Sequence, residues 1–283
     1  MISKIATEKV IDFPKQDLIY FNVGRDEKIY MVFLIDDQLI LQVVKDHSII
    51  MNKSLNELDS DSYIYLIQEI NDDTIVIVFE QDYICKMNFL DLKQNNMVEI
   101  CSFLLGVNTF HLDENGLLWI GLSEEGIFDE LNPKGKGIYC INLIIGEMLF
   151  EEEFKGIMYE CSSIQTLGSE LYTSYEEEQT IVISTFSYDL NPENQSCQKK
   201  KMYHLDRKEY RYCDQLYVSE SQILLFNNME NKQYAFKIVD DETFIMKLFL
   251  DGIDPSQCDP TYKVVGEYLY ILVENKLYRS KLM

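Results

Sequence analysis

The chain has 283 residues, of which 47% are hydrophobic and 26% are charged, and this ordinary globular composition excludes wholesale disorder. Its 25 Lys and Arg against 48 Asp and Glu give a net charge of −23. That excess argues against nucleic acid and anionic membranes as partners, because proteins bind both through clustered Lys and Arg.

The N-terminal segment, residues 1–16, mixes charged and apolar side chains and does not have the basic start and apolar core of a secretory signal. The longest apolar runs, residues 29–35 and 75–79, are far shorter than the roughly 18 residues that a membrane-spanning helix needs. These features predict a cytoplasmic protein.

A repeated unit dominates the chain: a short strand, a polar turn and a second strand, each strand rich in Val, Ile, Tyr and Phe. The unit occurs six times, and the first apolar residues after the six turns are 43 to 53 residues apart. A period of about 40–50 residues with several strands per unit is typical of a β-propeller, and six consecutive units argue against a β-sandwich. These six residues are Ile29, Ile75, Leu118, Leu171, Ile223 and Leu269.

A third strand follows in every unit, and a fourth follows in five of them. The sixth unit lacks a fourth strand, while the apolar segment Lys9–Phe13 precedes the first unit and is unassigned. Pairing this segment with the last blade would complete its sheet and remove an exposed edge. The sequence therefore predicts an all-β protein, a single β-propeller domain over residues 1–283 with six four-stranded blades, closed by the N-terminal strand.

The third unit contains a recognisable motif. Residues 113–128 begin with a tight turn, Asp113–Gly116, and continue into a Trp-Ile-Gly run, and a strand with a cysteine, residues 137–140, follows. This segment resembles a blade motif of uncharacterised bacterial β-propeller proteins, although Leu122, Ser123 and Glu124 depart from it. The resemblance implies the fold and no particular activity. The matching residues are Trp119, Ile120, Gly121, Glu125, Gly126, Ile127 and Phe128.

Two features of the motif have physical interpretations. Gly121 and Gly126 are expected to relieve backbone crowding. Trp119 has two alternative roles, packing between blades or forming a platform for a partner.

Residues for catalysis or metal binding are sparse. The seven Cys form no C-x-x-C pair and lie mostly in apolar strands, which predicts buried free thiols. The three His are scattered singly, and the chain has no nucleophile elbow and no phosphate-binding loop. We therefore predict no catalytic residue, no metal site and no cofactor.

Acidic residues form the candidate contact surface. Glu124, Glu125 and Asp129 follow the Trp119 strand, and residues 176–178 form an acidic run at a hairpin. Such residues steer a basic partner electrostatically, or they are simply solvated turns. The polar segments 129–136 and 189–200 are predicted insertions that could add contacts. The candidate partner-binding residues are Trp119, Glu124, Glu125, Asp129, Glu176, Glu177 and Glu178.

Three functions fit these observations. The first is a non-catalytic, monomeric binding scaffold for a basic protein, of which an immunity or antitoxin protein for a basic toxin is one specific form. The alternative is a propeller hydrolase or lactonase with a hard divalent metal in the central channel, held by some of the many carboxylates. The third is an assembly subunit that contacts copies of itself. The fold alone does not choose among them.

Overall fold

The computed structural model describes most of the chain as β-strand. Residues 2–5 and 8–12 form strands β1 (Ile2–Ile5) and β2 (Glu8–Asp12). The described residues are all except 1, 6–7, 14–16, 25, 83, 95, 105, 129–136, 151–153, 155–159, 178–179, 192–194, 207–212, 228–233, 241, 251–260 and 283.

The remaining strands form six sheets, numbered here I to VI. Sheet I contains β3 (Asp17–Val23), β4 (Ile29–Ile35), β5 (Gln38–Lys45) and β6 (Ser48–Ser54). Sheet II contains β7 (Tyr63–Asn71), β8 (Thr74–Gln81), β9 (Ile84–Asp91) and β10 (Asn96–Leu104). Sheet III contains β11 (Val107–Leu112), β12 (Leu117–Leu122), β13 (Ile138–Asn142) and β14 (Glu147–Leu149), with one helical turn, α1 (Glu124–Ile127), after β12.

Sheet IV contains β15 (Cys161–Leu167), β16 (Glu170–Glu177), β17 (Thr180–Asp189) and β18 (Ser196–Asp206). Sheet V contains β19 (Cys213–Ser219), β20 (Gln222–Asn227), β21 (Tyr234–Val239) and β22 (Glu242–Leu250). Sheet VI contains β23 (Thr261–Val265), β24 (Tyr268–Val273) and β25 (Lys276–Lys281).

The order of strands within the sheets confirms the predicted β-propeller of six four-stranded blades. In sheets I to V each strand lies beside the next one in the chain, and in sheet VI the order is β2-β25-β24-β23. The N-terminal strand therefore completes the last blade, as predicted, although it spans Glu8–Asp12 rather than Lys9–Phe13. Strand β1 adds a fifth, parallel strand to the edge of sheet V beside β22, which the sequence did not predict.

The chain divides into two compact units. The larger unit comprises residues 1–8, 106–274 and 279–283, and the smaller unit comprises residues 9–105 and 275–278. Within each unit the first strands of successive sheets are neighbours: β3 lies next to β7 in the smaller unit, and β11, β15, β19 and β23 follow one another in the larger unit. The predicted single domain over 1–283 stays a prediction.

A β-bulge recurs near the start of the first strand in sheets I to V. In each case one extra residue interrupts the pairing with the second strand. A bulge sets two residues against one on the partner strand and redirects a side chain. The extra residues are Ile19, Tyr65, Asn108, Ser162 and Asp214.

Burial follows from the position of each strand in its sheet. All six residues of β12 are buried, because this strand has a neighbour on each side and packed side chains on both faces. The five cysteines that the structure records as free thiols bear out the sequence interpretation, since Cys101 is half-buried and the others are buried. The predicted insertion at 189–200 is largely wrong, because β17 reaches Asp189 and β18 begins at Ser196.

In the smaller unit, a polar cluster joins sheets I and II. The Lys28 ammonium donates to the Glu69 carboxylate, and the side chains of these residues are only 14% and 9% exposed. Asn22 Nδ2 donates to the Ile67 carbonyl oxygen at 2.7 Å. Glu69 also hydrogen-bonds the buried Tyr30 hydroxyl, and burial followed by the Glu69 charge raises the pKa of Tyr30. Removing one partner of a buried ion pair is strongly destabilising, because the other charge stays buried and uncompensated.

The Glu69→Ala substitution is expected to destabilise the protein by about 3 kcal/mol, because it leaves the almost buried Lys28 ammonium with only the exposed Asp72 carboxylate, 3.8 Å away. Urea unfolding monitored by circular dichroism measures this change. The matched control is Asp73→Ala, which breaks the exposed Lys93–Asp73 pair and should cost less than about 1 kcal/mol. Equal losses in the two variants would show that the Lys28–Glu69 contact does not hold the two sheets together.

Candidate interaction surface

Trp119 lies at the centre of an aromatic cluster in the larger unit. Its side chain is 0% exposed, and its ring stacks on Phe150 with centroids 5.8 Å apart and planes 6° apart. Phe154 meets it edge-on at 6.1 Å, and Tyr188 lies at 5.2 Å. Trp119 therefore packs inside the protein, which is one of its two predicted roles, and it offers no surface to a partner.

The Asp113 carboxylate fixes this cluster. Asp113 is buried, and its Oδ1 accepts hydrogen bonds from the backbone N–H groups of Asn115 (2.8 Å) and Leu117 (2.9 Å), which closes the β11–β12 turn. Its Oδ2 lies 3.4 Å from Trp119 Nε1 and 3.1 Å from the Tyr188 hydroxyl of β17. Burial, followed by the Asp113 charge, raises the pKa of Tyr188, so its hydroxyl remains a donor. The carboxylate thus joins sheets III and IV.

Both glycines of the motif allow close packing, which confirms the predicted crowding. A Cβ on Gly121 would lie 2.6 Å from Thr109 Cγ2 and 2.7 Å from Cys161 Sγ on the neighbouring sheet. A Cβ on Gly126 would lie 2.5 Å from the carbonyl oxygen of Gly106. Any larger residue would separate these elements.

The segment after β12 is therefore held close to the sheet. The Ser123 backbone N–H donates to the Gly106 carbonyl oxygen at 2.6 Å, and Ile127 is buried. The other side of this helical turn faces outward: Glu124 and Glu125 are exposed, and Phe128 is 63% exposed. We refer to Glu124, Glu125 and Phe128 as the Glu124–Phe128 surface.

The Glu124–Phe128 surface carries uncompensated negative charge. Neither Glu124 nor Glu125 pairs with a lysine or arginine of the described part of the chain. The Ser123 hydroxyl donates to Glu125 Oε2 at 2.7 Å, and this hydrogen bond lowers the pKa of Glu125. The Glu125 carboxylate is thus ionised at neutral pH.

A further carboxylate lies at the same edge of sheet III. Asn108, the bulge residue of β11, is two residues from Gly106, on which the Glu124–Phe128 surface rests. Its Nδ2 contacts Glu160 Oε1 at 3.2 Å and the Cys161 carbonyl oxygen at 3.1 Å, and Glu160 is exposed. Neither Glu160 nor Phe128 is among the partner-binding residues predicted from the sequence, in which Phe128 is part of the blade motif only. An aromatic residue beside two acids in a polar loop was the available signal for Phe128.

The structure describes only some of the other acidic residues that were predicted to bind a partner. Glu176 and Glu177 end β16, which is the position in sheet IV that corresponds to the end of β12 in sheet III, and the Glu177 side chain is partly exposed. Asp129, Glu178 and the side chain of Glu176 lie outside the described residues. Their contribution to a contact stays a prediction.

The His111 side chain contacts the neighbouring sheet. Its Nε2 lies 2.9 Å from Thr166 Oγ1 on the neighbouring sheet, and burial lowers the pKa of its imidazole to about 4. Within the part of the chain that the structure describes, no three His, Cys, Asp or Glu side chains come together as a metal-binding group. A search of the same residues found no helix with the length and apolar character needed to cross a membrane.

Comparisons with known proteins support the fold. No protein-family model and no curated protein matches the chain, whereas many solved structures do. The PQQ-bound aldose sugar dehydrogenase of Streptomyces coelicolor matches with a TM-score of 0.61 and 10% identity, covering 96% of each chain. The β-propeller domain of Myceliophteria thermophila Cps50 (Swd1) matches with a TM-score of 0.56 and 9% identity, covering 98% of this chain and 100% of that one.

The WD40 domain of Toxoplasma gondii coronin is also similar, with a TM-score of 0.54 and 9% identity, covering 99% of this chain and 86% of that chain. Identities this low show a shared fold and nothing more. Because an enzyme and a WD40 domain both match, the likeness does not choose between catalysis and binding.

The Asp113→Ala substitution is expected to destabilise the protein by about 3 kcal/mol, because two backbone N–H groups and the buried Trp119 Nε1–H lose their acceptor. The Tyr188 hydroxyl keeps the Gly168 carbonyl oxygen, which lies 2.8 Å away. Tyr188→Phe is the matched variant, since it removes one hydrogen bond and keeps the ring, and it should cost about 1 kcal/mol. Urea unfolding of both variants measures the difference. An Asp113→Ala loss no larger than the Tyr188→Phe loss would contradict a joining role for the carboxylate.

His111 is expected to make the free energy of unfolding depend on pH. Its pKa in the folded protein, about 4, lies below the ordinary value of 6.5, so its stabilising contribution is complete above pH 6.5 and is lost as the pH falls towards 4. The urea midpoint should therefore change less between pH 7.5 and pH 4.5 in His111→Gln than in the wild type. His204→Gln, at an exposed position, is the control and should keep the wild-type change. An unaltered pH dependence in His111→Gln would contradict this role.

Proposed function

We propose that the protein is a non-catalytic binding scaffold that engages a basic protein through the Glu124–Phe128 surface. The observation that carries the proposal is the arrangement itself: two exposed carboxylates without a basic partner among the described residues, and an exposed aromatic ring beside them. In this proposal the protein acts in the cytoplasm as a monomer. An immunity or antitoxin protein that neutralises a basic toxin is its most specific form.

The backbone of the Glu124–Phe128 surface is suited to recognition because it is already fixed. The Ser123 backbone N–H is hydrogen-bonded to the Gly106 carbonyl oxygen, Gly126 packs on Gly106, and Ile127 is buried. A partner would therefore order only side chains and not a loop, and binding loses less free energy when the contact surface is preorganised.

The chemistry of the surface indicates the kind of partner. The carboxylates, within a chain of net charge −23, would attract a basic protein and accelerate its association. Phe128 would supply apolar contact area, since aromatic residues at the centre of an interface carry much of the binding energy. Charge and aromatic area together favour a protein partner over a small anion or a nucleic acid.

Affinity capture from the native cell lysate tests the proposal, with the full chain as bait and mass spectrometry as the readout. The wild type should retain a basic protein in stoichiometric amount at low salt and lose it at high salt. The double variant Glu124→Gln/Glu125→Gln and the single variant Phe128→Ala should each retain about tenfold less of it.

The control is Asp36→Asn/Asp37→Asn, which removes the same charge from an exposed turn in the smaller unit. Both aspartates have positive φ, 48° and 60°, and Asn tolerates that conformation. Equal capture by all variants would contradict the proposed surface. No captured protein, together with a calcium- or manganese-induced thermal shift that a chelator reverses, would favour the hydrolase or lactonase alternative instead.

A further inference from the structure

An aromatic corner in sheet II has the composition of a cation-binding site. Tyr63 and Tyr65 both lie near the start of β7, where Tyr65 is the bulge residue. Their ring centroids are 4.8 Å apart and their planes meet at 71°. Tyr63 is 63% exposed, so one wall of this corner is open to solvent.

A carboxylate lies at the base of the corner. Glu80 on β8 is directly opposite Tyr63 in the strand register, and the Tyr65 hydroxyl donates to Glu80 Oε2 at 2.6 Å. Burial, followed by the hydrogen bond to Glu80, raises the pKa of Tyr65, so its hydroxyl stays protonated and holds the carboxylate in place. A carboxylate thus lies at the Tyr65 hydroxyl and opposite Tyr63 in the strand register.

The same chain shows what such a group binds. In the larger unit, the guanidinium carbon of Arg279 lies 5.1 Å from the ring centroid of Tyr268, and Arg279 Nε lies 3.2 Å from Glu8 Oε2. Tyr268 also has a second tyrosine, Tyr270, at 6.2 Å. One tyrosine ring and one carboxylate therefore hold a guanidinium there, with a second tyrosine beside the first.

At Tyr63 and Glu80 no such cation is present among the described residues. No lysine or arginine among them lies over the Tyr63 ring or pairs with Glu80. Tyr63 and Glu80 thus offer the same two kinds of group that hold Arg279, a tyrosine ring and a carboxylate, and the Tyr63 ring is open to solvent.

We propose that Tyr63 and Glu80 bind the guanidinium group of an arginine side chain supplied by another molecule, while Tyr65 holds the Glu80 carboxylate in place. A guanidinium is planar and weakly hydrated, so it stacks on an aromatic face and pairs with a carboxylate at the same time. A lysine ammonium is strongly hydrated and cannot stack in this way, which makes arginine the better ligand. The site lies in the smaller unit and does not depend on the Glu124–Phe128 surface.

The site is tested by titrating the full-length protein with Nα-acetyl-L-arginine methylamide at constant ionic strength. The protein carries 13C-labelled tyrosine rings, and NMR monitors their resonances during the titration. The Tyr63 ring resonances, assigned from their loss in Tyr63→Leu, should shift and saturate in the millimolar range. Nα-acetyl-L-citrulline methylamide has the same shape without the charge and should bind about fivefold more weakly or not at all.

Variants separate the site from general charge effects. Glu80→Gln should weaken arginine binding about fivefold. In Tyr63→Leu the Tyr65 resonances should shift only at about fivefold higher arginine concentration. Asp37→Asn is the control, because it removes the same charge from an exposed turn of sheet I and should leave the dissociation constant unchanged. Because Tyr63 is exposed, the Tyr63→Leu variant is expected to fold normally, and circular dichroism checks this.

Three results would overturn the inference. Equal binding of the citrulline derivative would show that charge is not recognised. Equal weakening in Glu80→Gln and Asp37→Asn would show that only net charge matters. Tighter binding of tetramethylammonium than of the arginine derivative would assign the corner to alkylated ammonium groups instead of arginine. None of these results bears on the capture experiment, so the two proposals fail separately.

Discussion

Burial of the Asp113 carboxylate between sheets III and IV is the interaction on which the proposed binding surface depends. This one group closes the β11–β12 turn and accepts from Tyr188 of the next sheet. It also lies beside Trp119 Nε1. Because a buried carboxylate must have its hydrogen bonds satisfied, the turn and the two aromatic side chains have one arrangement. Strand β12 is positioned by them, and the Glu124–Phe128 surface follows directly after β12.

Polar contacts join neighbouring sheets in both units. In the larger unit these include hydrogen bonds from Tyr188 to Asp113 and between His111 and Thr166. In the smaller unit Asn22 donates to the Ile67 carbonyl oxygen, and the almost buried Lys28–Glu69 ion pair adds a charged contact. Apolar packing between sheets is non-directional, so these polar contacts select one relative placement of neighbouring sheets. A repeated architecture has thus been stabilised by unrelated residues in successive repeats.

The two proposed recognition sites share a physical design. Each places an exposed aromatic ring beside one or two carboxylate side chains, and each is positioned by a local departure from regular structure. At the Glu124–Phe128 surface the departure is the close approach of Gly126 to Gly106, and at the tyrosine corner it is the bulge at Tyr65. In an acidic chain such sites would be selective for cations that also offer apolar or planar area. A basic protein has both.

The strands of the six repeats, the completion of the last sheet by the N-terminal strand and the crowding at Gly121 could all be predicted from the sequence. These follow from turn residues, side-chain alternation and spacing, which are local along the chain. The burial of Trp119, the exposure of Phe128 and the proximity of Tyr63, Tyr65 and Glu80 became known from the three-dimensional structure. The exposure of a strand residue depends on side chains from other sheets, and a bulge changes which residues face each other without leaving a pattern in the sequence.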